Sequence, residues 1–103
     1  MSKPLIVSIP HNLGKDEAAR RLQSGLTRLE TEFSEAIASL KHEWNGDRMN
    51  FHLGLMGQYV EGLVDVMPDQ VRIEVQLPWL LSLIAEKAKS FIRKQGTLML
   101  EKK

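Results

Sequence analysis

The sequence predicts an α+β fold in the order β-α-β-β-β-β-α, a curved antiparallel sheet with two helices on one face. Three observations carry this. Several short segments alternate apolar and polar residues with period two. Two longer segments place apolar residues at steps of three and four. Asn45-Gly46 lies between two alternating runs, the strongest short-range signal for a hairpin.

Leu5, Val7 and Ile9 alternate with Ile6 and Ser8 and predict the first strand, closed by Pro10, which cannot donate to a ladder. A helix over about Lys15 to Ser34 follows. Gly14 or Asn12 caps it, Asp16 and Glu17 suit the positive end of its dipole, and Leu13 with Ala18 forms a hydrophobic staple. Leu22, Leu26, Leu29 and Phe33 make its apolar stripe. A two-residue Asn45-Gly46 loop would set Trp44 opposite Asp47, Glu43 opposite Arg48, His42 opposite Met49 and Leu40 opposite Phe51. Leu40, His42, Trp44, Met49, Phe51, Leu53 and Leu55 then share the inner face, and Lys41, Glu43, Arg48, Asn50 and His52 the outer one. An outer Glu43–Arg48 pair is expected.

Gly57-Gln58 predicts a turn into a strand with Val60, Gly62, Val64 and Val66 inward and Tyr59, Glu61, Leu63 and Asp65 outward. Pro68-Asp69 turns the chain into the cleanest strand, Val71, Ile73, Val75 and Leu77 against Arg72, Glu74 and Gln76. Pro78 opens the second helix, which carries Leu80, Leu81, Ile84, Ala88, Phe91 and Ile92 and stops at Gly96. The tail, 97–103, docks as a short extended segment or frays. Strands joined by short turns are antiparallel, and their one apolar face needs the cover of both helices. The arrangement is of the helix-grip or TATA-binding-protein-like kind.

The chain of 103 residues, 43% hydrophobic and 26% charged, supports one domain over 1–103 with a modest core. It has no cysteine, which excludes disulfides, thiolate metal sites and thiol nucleophiles. The apolar run Leu77 to Ala85 is far too short to span a bilayer, so the sequence predicts a cytoplasmic protein without a transmembrane segment. A net charge of +1 gives no general pull toward nucleic acid. The outer face offers only Tyr59 and His52 among acids, a poor platform for single strands.

No constellation for catalysis, metal or cofactor binding emerges. His42 and His52 fall on opposite faces and cannot share a metal. His11 sits at the strand-to-helix corner, where a histidine commonly bonds nearby backbone. The serines lack a nucleophile-elbow pattern, and the glycines make no phosphate loop. The apolar residues around the second helix exceed one stripe. Trp79, Leu80, Leu83 and Leu98 are expected either to close the core or to form a contact surface. Lys87, Lys89, Arg93 and Lys94 gather near the C-terminus, as a solvated helix face or a contact for an anionic surface. A cavity near His42, Trp44 and Met49 would make a ligand-binding module instead. An enzyme on acyl thioesters would need His11 or His42 beside a carboxylate.

Three blocks carry a family resemblance: Ser8-Ile9-Pro10-His11 with Leu13-Gly14-Lys15, Leu77-Pro78-Trp79-Leu80-Leu81, and Arg93-Lys94-Gln95-Gly96-Thr97-Leu98. With them the chain resembles, over essentially its full length, the small bacterial polyhydroxyalkanoic acid system proteins, also called granule-region proteins. The resemblance implies a role in the synthesis or storage of a hydrophobic polyester held in cytoplasmic granules. It implies no defined activity and no cofactor. The expected role is a non-enzymatic accessory protein acting by apolar contact with a granule, a granule-associated protein or an acyl-type ligand. A homodimer is also compatible with the sequence.

Overall fold

The structure is a computed structural model and describes residues 4–55, 57–77 and 83–101. Its elements are β1 (Leu5–Pro10), α1 (Gly14–Glu32), β2 (Ile37–Asn45), β3 (Arg48–Leu55), β4 (Gln58–Val66), β5 (Gln70–Gln76) and α2 (Ala85–Glu101). The predicted order holds. All neighbouring strands are antiparallel, in the spatial order β1-β5-β4-β3-β2. β1 and β2 are thus the two edges, and α1 carries the chain across the sheet between them.

One row of inward side chains crosses all the strands: Val7, Ile73, Val64, Met49 and Trp44. The first four are buried and Trp44 only half-buried. Ala18 and Leu22 of α1 and Leu100 of α2 join the same core. Burial of each large apolar side chain there contributes about 1.5–3 kcal/mol. α2 packs mainly on β1 and α1, and α1 reaches the sheet at β4. Cover is therefore deepest at the β1 side and opens toward β2.

The hairpin closes differently from the sequence expectation. Its loop is Gly46-Asp47, with Gly46 at φ 66°, a left-handed value suited to the first position of a primed turn. Asn45 now pairs with Arg48, Trp44 with Met49, His42 with Phe51 and Leu40 with Leu53. The slip is two residues, so the side chains of 40–44 and 48–53 keep their predicted faces. The expected Glu43–Arg48 pair does not form, because Glu43 lies opposite Asn50. Arg48 instead donates from Nε and Nη2 to Asp65 of β4.

α1 starts at Gly14 with Leu13 as its cap, and no side chain caps it, neither Asn12 nor Gly14 serving as predicted. The predicted opening of the second helix at Pro78, with Trp79, Leu80 and Leu81, lies outside the described residues. Gly96 does not stop α2, which continues to Glu101, so the predicted tail is helical over 97–101 and its last two residues lie outside the described residues. The reason is packing. A Cβ at position 96 would collide with Cδ1 of Ile9, so this glycine lets α2 cross close over β1. The same device joins the helices, since a Cβ at Gly25 of α1 would strike Met99 of α2.

Candidate functional site

The antiparallel helices meet along one seam. Gly25 faces Met99, and the rings of Phe33 and Phe91 meet edge to face with centroids 5.5 Å apart. Seven-residue spacing relates Ile84, just before α2, to Phe91 and Leu98 in one row along the helix, beside this seam. They are 49%, 43% and 49% exposed, and Leu83 just before the helix is 86% exposed. Spacing at i+3 sets Lys87 and Lys94 directly beside the row. Lys87, Arg93 and Lys94 are exposed, Lys89 is half-buried, and none of the four forms an ion pair among the described residues.

Of the residues singled out in the sequence, Leu83 and Leu98 therefore stand on the surface, while Trp79 and Leu80 lie outside the described residues. Sequence periodicity counts Ile84 and Phe91 as part of the buried stripe. Their exposure was not legible, because it depends on how far α1 overlaps α2 laterally. The signal available was the width of the apolar arc, which runs well past the sheet-facing side of the helix.

His42, Trp44 and Met49 do share the inner face, and they differ in access. Met49 is 1% exposed and fully packed. Trp44 is half-buried, and its indole Nε1 has no hydrogen-bond partner among the described residues. His42 is exposed at the β2 edge.

An open groove of about 890 Å³ lies across β2–β5, chiefly on the helix-free face, with His42 among its lining residues. Two cross-strand rows build it: Lys41, His52, Glu61 and Gln76, then Glu43, Asn50, Leu63 and Glu74. His52 Nδ1 is 3.1 Å from Glu61 Oε1, a pairing that follows from the β3–β4 register. Both side chains are more than 60% exposed, so water shares every proton either could move. Beyond the groove, Asp65 holds Arg48 at 2.7 Å and approaches Arg72, which also reaches Glu74 at 3.4 Å. The hydrogen bond to Asp65 raises the Arg48 pKa above its ordinary value.

His11 is committed to structure. Its Nδ1 accepts from the Leu13 N–H and its Nε2 lies 3.1 Å from the Met67 carbonyl. No carboxylate among the described residues hydrogen-bonds to it, so the described residues do not build there the arrangement required of an acyl-thioester base. No group of three or more histidine or acidic residues among the described residues is placed to hold a metal ion, and no described helix is long and apolar enough to cross a membrane.

Comparison with curated proteins finds no match to the chain. Residues 5–99 match a family model, from the first strand into the last turns of α2, and the chain belongs to the family described as "putative polyhydroxyalkanoic acid system protein".

Proposed function

We propose that the protein is a non-enzymatic accessory component of the polyhydroxyalkanoate system that contacts the apolar granule surface through α2. The observation that carries this reading is the exposed row Ile84, Phe91 and Leu98, preceded by exposed Leu83, with Lys87 and Lys94 beside it. A helix with apolar side chains toward a hydrophobic phase and cations at its margin suits an interface. The side chains leave water, and the ammonium groups meet surface anions. Membership in the polyhydroxyalkanoic acid system family supplies the context, a hydrophobic polyester phase. Lys89 and Arg93, each two residues from Phe91, fall on the opposite flank of α2 and stand apart from this margin.

Co-sedimentation with purified polyester granules tests this. The wild-type protein is expected to pellet with granules, and Leu83→Glu/Leu98→Glu to remain in the supernatant with unchanged circular dichroism. Leu83 is 86% and Leu98 49% exposed and neither belongs to the core, so the substitutions spare it. Equal pelleting of both proteins, or of neither, defeats the proposal.

A further inference from the structure

We infer that the free edge of β2 pairs with β2 of a second copy, about a two-fold axis at His42, joining two sheets into one. This pairing is independent of granule contact. It begins with the hairpin. A two-residue loop closes with its flanking residues exchanging both backbone bonds, so Asn45 and Arg48 are a hydrogen-bonded pair. Alternation then turns the N–H and C=O of Glu43 and Lys41 toward β3 as well. The same groups of Leu40, His42 and Trp44 point to the open edge.

No helix takes β2 as a main packing neighbour among the described residues. The other edge differs. β1 ends in Pro10, which has no N–H, and α2 packs along it. One open edge per chain closes as a two-fold dimer and does not propagate into a fibre.

Residues 39–45 are complementary to themselves. Antiparallel pairing about His42 sets Leu40 against Trp44 on the inner face, and Lys41 against Glu43 on the outer face, each twice by symmetry. Ser39 then meets Asn45. Moving the axis one residue to Lys41 would oppose two lysines, and moving it to Glu43 would oppose two glutamates. Opposed like charges are destabilising. The β-bulge between Ile37 and Ser39 breaks the ladder where this segment begins. The dimer also gives the half-buried Leu40 and Trp44 an apolar partner at the place where the helices leave the sheet open.

Sedimentation equilibrium of the full chain tests the axis. The wild type is expected to dimerise. Lys41→Glu and Glu43→Lys each turn two attractive pairs into repulsive ones and should weaken the dimer about tenfold. The double reversal Lys41→Glu/Glu43→Lys should restore it. A second measurement exploits the lack of cysteine. His42→Cys places two thiols across a hydrogen-bonded pair, with Cα atoms about 5.5 Å apart and within disulfide range. It should form an interchain disulfide on mild oxidation, and Ser39→Cys should not. A monomeric wild type, a dimer indifferent to the single reversals, failure of the double reversal to recover, or equal cross-linking at 39 and 42 would each overturn the inference.

Discussion

The Arg21 guanidinium on α1 donates from Nη1 to the Leu100 carbonyl oxygen near the end of α2, 2.9 Å away. Among the described residues the last turn of α2 contains no basic residue, and Arg21 brings a cation from the other helix to its carbonyls and the negative end of its dipole. Arg21 is itself held by Glu17, at 2.7 Å from Nε. Its side chain is only 17% exposed, so this contact is shielded from water more than an ordinary surface pair. Arg21→Met keeps the aliphatic stem and removes the donor. It should cost about 1–3 kcal/mol. Amide exchange in the last turn of α2 should accelerate while β5 amides change less. Uniform acceleration throughout would mean the contact does not anchor the helix end in particular.

Glu17 gives this pair of helices an acid-sensitive element. It accepts from Arg20 at 2.9 and 2.6 Å as well as from Arg21. The hydrogen bonds from Arg20, then Arg21, lower its pKa to about 2. An unfolded glutamate titrates near ~4.3. A carboxylate with a depressed folded pKa contributes stability that is complete above the unfolded value. That contribution is lost as pH falls through the folded value. Wild type should therefore exceed Glu17→Gln in urea midpoint at neutral pH, and the gap should narrow from about pH 4.5 and close near pH 2. A gap that is unchanged at pH 2 would assign the difference to something other than this ionisation.

The elements most legible in the sequence were those set by local rules. The period-two runs fixed five strands and their faces, and the Pro68-Asp69 turn falls where expected, with the Met67 N–H donating to Gln70 O. The hairpin slip was not legible from Asn45-Gly46. Gly46 with either neighbour can supply a two-residue loop, and only the β3–β4 ladder, with Arg48 on Asp65, selects one. Gly96 misled for a related reason. A glycine near a helix end reads as a stop, whereas here Ile9 of the first strand takes its Cβ space, a contact between residues far apart in the chain. The apolar excess around the second helix was legible as composition. Which of its residues face outward depends on where α1 lies, and no local pattern encodes that.

The Gly96–Ile9 contact makes a quantitative prediction. In an exposed helix, Gly→Ala stabilises by about 1 kcal/mol. Here Ile9 is 3% exposed, so its Cδ1 makes way for a new Cβ only by turning within the core, and Gly96→Ala should destabilise by about 1 kcal/mol or more through overpacking. Ile9→Val removes the Cδ1 atom that collides and alone should cost about 0.5–1.5 kcal/mol. The two substitutions together should be less damaging than their sum, giving a favourable coupling in a double-mutant cycle. Strict additivity would place the overpacking elsewhere.

His11 ties the end of β1 to the β4–β5 turn and to the start of α1. Its backbone N–H donates to the Asp69 carbonyl, and the ring spans from Met67 to Leu13. Because the Leu13 N–H must donate, Nδ1 is the acceptor, and the proton of the neutral ring resides on Nε2, facing the Met67 carbonyl. Ring nitrogen shifts measured by NMR at neutral pH should show this tautomer. His11→Ala strands both backbone groups beside a side chain that is 9% exposed, and should cost about 1–3 kcal/mol. His11→Asn can present an amide oxygen to Leu13 and should recover part of that loss. Matching urea midpoints for the wild type and His11→Ala would show that water replaces the ring at both ends.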